Sequence, residues 1–188
     1  MRRAVFLDRD GVINRKAETE DEYVTRWEQV EIFADVARSI AWLNRDGFKV
    51  YVVTNQRSVA KRLITANELE SLHHRLCAQL AEGGARIDAI YYCPHELEPA
   101  CDCRKPKPGM LFRAAREHDI DLEKSWMIGD SEKDVEAGKR AGCKTVRLIP
   151  SGESAKTAAD FVAPSLSSAV HTILEAQRVP ERPGGVDH

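Results

Sequence analysis

The segment 48–53 (FKVYVV) constrains the fold of this chain more than any other. A strand with one face in water alternates apolar and polar residues, whereas a nearly unbroken apolar run fits a strand covered on both faces. Such strands belong to parallel sheets, whose crossover helices lie over both sides. Short β-like runs recur at Ala4–Leu7, 87–92, 126–128, Lys144–Leu148 and 160–162. Helical patterns separate them. Val36, Ile40 and Leu43 share one face, and Thr65 and Glu68 form a capping box for a helix carrying Leu69, Leu72, Leu76 and Leu80. Pro108 opens a helix through Met110, Phe112 and Ala115, Glu132–Ala141 is closed by Gly142, and 165–177 is the last helix. This alternation predicts an α/β fold, a three-layer α/β/α sandwich around a mostly parallel sheet. No repeat or linker divides it, so residues 1–178 read as one domain, with a Pro/Gly-rich tail at 179–188 expected to be disordered.

The chain has 188 residues and 43% hydrophobic content, enough for one full core. A formal charge of −2 argues against a surface-wide nucleic-acid or membrane footprint. No apolar run approaches the ~20 residues that span a bilayer. Ala4–Leu7 is too short for a signal-peptide core and two acids follow it, so the expected compartment is the cytoplasm. His73 and His74 lie among Glu and Arg and read as a solvated helix face. Trp27, Trp42 and Trp126 read as packing residues, and Cys77 and Cys143 as small buried ones.

In open parallel sheets, ligands bind at the carboxyl ends of the strands. Polar clusters follow four of the strands here: Asp8-Arg9-Asp10-Gly11, Thr54-Asn55-Gln56, Arg104-Lys105 beyond the third strand's loop, and Gly129-Asp130-Ser131 with Asp134 a turn later. Alone, each has a bland reading: a turn, a strand end, a surface lysine, a helix cap. Together they gather at one sheet edge. Three carboxylates at one point need a cation between them, and oxygen ligands suit Mg²⁺. A carboxylate can attack phosphorus, and an acid two residues on can protonate the leaving group and then activate water. Thr54 and Lys105 can bind phosphoryl oxygens.

The stretches FLDRDGVIN, VVTNQ, CRKPKPGM and MIGDSEKD, in this order, resemble the four motifs of the haloacid dehalogenase superfamily. The resemblance implies a Rossmann-like sandwich and a phosphatase of a small phosphorylated metabolite. In it, Asp8 would be the nucleophile and Asp10 the general acid/base, while Thr54 and Lys105 would hold the phosphoryl group. Asp8, the Asp10 backbone carbonyl and Asp130 would bind Mg²⁺, with Asp134 orienting that site. Only one helix and a loop separate the first two motifs, so no large cap domain is expected.

Cys93, His95, Cys101 and Cys103 form a complete tetrahedral ligand set, the donors of a structural Zn²⁺ site that would staple a loop poor in apolar residues. The alternative is three reduced thiols and a solvated imidazole. The CPH…CDCRKP arrangement resembles a branch of the superfamily that dephosphorylates heptose 1,7-bisphosphate or histidinol phosphate, and KPGM with TNQ points toward the heptose side. That likeness implies substrate contacts from Asn55, Gln56, Arg57, Arg104 and Ser131. Residues 57–62 (RSVAKR) lack the glycines usual there, and Ser131 replaces a frequent lysine. Competing readings are a histidinol-phosphate phosphatase, a catalytically dead binding module and a nucleic-acid 3′-phosphatase. The intact Asp8, Asp10, Thr54, Lys105 and Asp130 set argues against the second, and the near-neutral charge against the third. A monomer is the expected state.

Overall fold

Six parallel strands in the order β3-β2-β1-β4-β5-β6 form one sheet in the computed structural model, which describes residues 1–19 and 22–178. The tail at 179–188 lies outside the described residues. In chain order the elements are β1 (Ala4–Leu7), α1 (Val36–Arg45), β2 (Lys49–Asn55), α2 (Ala66–Glu82), β3 (Ala89–Cys93), α3 (Gly109–His118), β4 (Trp126–Gly129), α4 (Glu132–Ala141), β5 (Lys144–Leu148), β6 (Phe161–Ala163) and α5 (Leu166–Arg178). No helix among the described residues is long and apolar enough to cross a membrane.

The central strands show why 48–53 is apolar throughout. Val50 and Val52 pack with Val5 and Leu7 against α1 and α5, while Tyr51 and Val53 pack with Ala4 and Phe6 against α3 and α4. Successive side chains point to opposite faces, and both faces are dry. This is the expected α/β/α sandwich, with no large insertion between β1 and α1.

Helix ends follow local chemistry. The Glu68 N–H donates to Thr65 Oγ1 at 3.2 Å and the Thr65 N–H to Glu68 Oε2 at 2.8 Å, the expected capping box. The expected helix through Met110, Phe112 and Ala115 forms, with its buried face on Met110, Leu111 and Ala114 and Phe112 exposed. Two expectations need correction. The last strand starts at Phe161, because the Asp160 carboxylate accepts from the Thr145 N–H and hydroxyl at 2.8 and 2.7 Å. His73 is buried, on the inward face of α2 with Leu69, Leu72, Leu76 and Leu80.

The sequence order reverses at β1, which sits between β2 and β4. The carboxyl ends of these three strands therefore border the crevice where such a sheet binds ligands.

Candidate active site

Asp8 is the first residue beyond β1, and its N–H donates to Ile128 O of β4 at 3.0 Å. The following loop turns on Gly11, at φ +90°, a conformation that side-chain-bearing residues rarely adopt. A Cβ at Gly11 would stand 2.3 Å from Asp130 Oδ2, so the missing side chain lets this loop press against the end of β4. Gly129 gives the same room on the other side, since its Cβ would stand 2.1 Å from that of Asp134. One carboxylate oxygen each from Asp8, Asp130 and Asp134 thereby fall within 4.8 Å of one another.

Lys105 enters this group from the loop after β3. Its buried Nζ lies 2.8 Å from Asp8 Oδ1 and 2.6 Å from Asp134 Oδ1, and donates to Val53 O at 2.7 Å. Burial works against the charged ammonium, but Asp134 and Asp8 outweigh it and Lys105 stays protonated. Burial pushes the Asp8 carboxyl up to about 7, Asp134 and Asp10 push the same way, and Lys105 pulls it down. Three carboxylates thus gather around one buried ammonium. A divalent cation held by Asp8 and Asp130 would supply further positive charge, and the hard oxygen donors fit Mg²⁺. Lys16 shows the same pull: its Nζ reaches Asp130 Oδ2 at 2.8 Å.

Asp10 points into a separate cradle. Its carboxylate accepts from Arg9 Nε at 3.1 Å and Nη2 at 2.9 Å, from Asn14 Nδ2 at 2.9 Å and from Gln56 Nε2 at 2.9 Å. Gln56 Nε2 also donates to the buried Thr54 Oγ1 at 2.9 Å, which ties β2 to the Asp10 loop. Asn55 holds the Lys105 backbone from both sides: Nδ2 donates to Lys105 O and Oδ1 accepts from its N–H, each at 3.1 Å. Ser131 caps α4 and donates its hydroxyl to Asp134 Oδ2 at 2.7 Å.

The two arginines expected at the substrate are engaged with the cysteine loop instead. Arg57 Nε pairs with Glu96 at 2.6 Å, and Arg104 Nη1 donates to His95 O at 3.5 Å. A cleft of about 330 Å³ opens over Asp10, Lys16, Gln56, Asp130 and Ser131, with Tyr23 and Val24 on its far wall.

The structure also brings in Arg9, Asn14, Lys16 and His73, none singled out as site residues from the sequence. An arginine between two acids in a buried segment was a visible signal for Arg9. His73 lies four residues after Leu69 and three before Leu76, which places it on the apolar stripe. Lys16 had no signal, since its position depends on the path of the loop.

Cys93, His95, Cys101 and Cys103 converge beside the site, as Cys93 pairs in register with Asn55. Cys101 Sγ lies 3.5 Å from both Cys93 Sγ and Cys103 Sγ, and His95 Nδ1 lies 3.6 and 3.2 Å from Cys93 and Cys103 Sγ. Zinc–sulfur bonds of about 2.3 Å give a tetrahedral edge of about 3.8 Å, so the four donors fit one Zn²⁺ with a small expansion.

A family model described as HAD-hydrolase-like matches residues 102–175. The D-glycero-β-D-manno-heptose-1,7-bisphosphate 7-phosphatase of Pseudomonas putida is 40% identical over 153 residues, covering 81% of this chain and 85% of that protein. Its Escherichia coli K12 counterpart is 36% identical over 186 residues, covering 93% and 95%. The crystal structure of D,D-heptose 1,7-bisphosphate phosphatase from B. bronchiseptica, complexed with magnesium and phosphate, superposes with a TM-score of 0.81 at 30% identity, covering 93% of this chain and 99% of that one.

Proposed function

We propose that this chain, which belongs to the haloacid-dehalogenase-like phosphatases and is a phosphoric monoester hydrolase, removes the 7-phosphate of D-glycero-D-manno-heptose 1,7-bisphosphate through an aspartyl-phosphate. The relatives' activity supports the substrate. The observation that carries the mechanism is the Asp8 carboxylate: both of its hydrogen bonds, from the Arg9 N–H and from Lys105, fall on Oδ1 at 2.8 Å, which leaves Oδ2 for attack.

In this reading Asp8 Oδ2 forms a bond to phosphorus as the bond to the sugar oxygen breaks, and Asp10 gives that oxygen a proton. Water then attacks the phosphorus, Asp10 takes its proton, and Asp8 is restored as phosphate leaves. Lys105 and the Thr54 hydroxyl hold the equatorial oxygens, where negative charge spreads in the transition state. Asp8, the Asp10 carbonyl and Asp130 would hold Mg²⁺, which supplies counter-charge to those oxygens when bound. Zn²⁺ on Cys93, His95, Cys101 and Cys103 would be structural, since four protein ligands leave no open position. Asn55, Gln56 and Ser131 support Lys105, Asp10 and Asp134, and Arg57 and Arg104 would meet the sugar only after leaving Glu96 and His95 O.

Phosphate release from the heptose bisphosphate and from histidinol phosphate, with and without Mg²⁺, tests this. Faster turnover of the heptose substrate, lost on chelation, is the expected result. Faster release from histidinol phosphate would overturn the substrate, and full activity without a divalent cation would overturn the metal.

A further inference from the structure

The buried contact behind Asp10 belongs to no step above. Arg9 is 1% exposed and His73 5%, deep for side chains of this kind. The Arg9 guanidinium turns two of its nitrogens, Nε and Nη2, to Asp10. The third, Nη1, lies 3.1 Å from His73 Nε2. A guanidinium only donates, so Nε2 is the acceptor and the imidazole is neutral. Burial, with Arg9 beside it, pulls the imidazole pKa down to about 3, which keeps the ring in that form. Tyr92 packs edge-on to the ring at 5.8 Å and limits its rotation.

A neutral acceptor suits this place. A carboxylate here would compete with Asp10 for the guanidinium, and a cation would repel it. With Nη1 pinned by α2, the plane of Arg9 is set, and that plane sets where the Asp10 carboxylate stands. Asn14 and Gln56 complete the cradle from either side. What the Arg9 pair contributes to both steps is geometry.

We infer that His73 is a positioning residue for Asp10, acting through Arg9; the inference rests on the acid–base reading of Asp10 proposed above. A sugar alkoxide leaves only if it receives a proton as the P–O bond breaks, whereas p-nitrophenolate leaves without one. Misplacing Asp10 therefore harms the first reaction selectively.

The test compares kcat/KM for the heptose bisphosphate with kcat/KM for p-nitrophenyl phosphate, a quantity that covers steps through phosphorylation of Asp8. His73→Leu removes the acceptor while keeping an apolar fill. The ratio of sugar to aryl phosphate is expected to fall roughly tenfold or more. His73→Gln, which can still accept from Arg9, is expected to restore most of it. Equal losses on both substrates, or an unchanged ratio, would overturn the inference, because a merely structural role lowers both alike. A poorly folded His73→Leu, seen by circular dichroism, leaves the His73→Gln and His73→Asn pair to decide: the inference needs their ratios to follow how well each reaches Arg9, and indifference to reach overturns it. Asp10→Asn separates the two levels. If it spares the ratio, the acid–base reading itself fails. If it collapses the ratio and His73→Leu does not, only the positioning role fails.

Discussion

The carboxylate cluster and the cysteine loop lie side by side yet are assembled in opposite ways. Asp8, Lys105, Asp130 and Asp134 come from three different strand ends, brought together only when the sheet forms. Their side chains are held by the core, by two glycine contacts and by a buried ammonium. Cys93 ends β3, and His95, Cys101 and Cys103 follow in the short loop after it, with Pro94 and Pro99 between them and Leu97 exposed. Cys93, Cys101 and Cys103 pack on the core, but residues 94–100 between them include no buried side chain. The first site needs the fold to exist; the second would be held by a metal on its four donors. Disturbing one should therefore leave much of the other standing.

Asp8→Asn gives the widest separation. Turnover is expected to fall by at least roughly 10⁴-fold, as for loss of a nucleophile, while metal analysis still finds zinc bound and the far-ultraviolet spectrum is unchanged. Zinc lost together with activity would mean that the two regions are not independent. Cys101→Ser attacks the other side. Zinc binding is expected to weaken at least roughly tenfold, proteolysis within 94–103 to become easy, and the sheet to persist by circular dichroism. Activity should fall in part, through the Glu96–Arg57 pair and the chain leading from Cys103 to Lys105. Complete unfolding would show that the loop supports the core after all. The smallest effect is expected from Lys16→Met. Its own side chain is largely exposed, which weakens the ion pair with Asp130, so the Mg²⁺ concentration for half-maximal activity should drop only about two- to fivefold. No change would mean that Lys16 does not compete with the cation.

The same contrast explains what the sequence could reveal. The run 48–53 exposed the doubly covered strand because both of its faces had to be apolar. The positions of Asp8, Thr54, Lys105 and Asp130 were readable because strand ends in a parallel sheet share an edge. The cysteine loop was readable from spacing alone, since its donors are near neighbours. Contacts between loops and helices were not. His73 looked solvated because it stands among Glu and Arg in the sequence, yet the helical period turns it inward to Arg9. Lys16 reaches Asp130 through a loop path that no pattern encodes.

Gly11 has one further consequence. The β1 loop and the β4 loop meet there with no space for a single carbon. Steric contact, more rigid than any hydrogen bond, couples the segment bearing the attacking carboxylate to the segment bearing Asp130. The two behave as one anvil. The outer walls of the cleft, with Tyr23, Val24 and Gln56, lie apart from this contact, so a change of shape there need not disturb the striking surface.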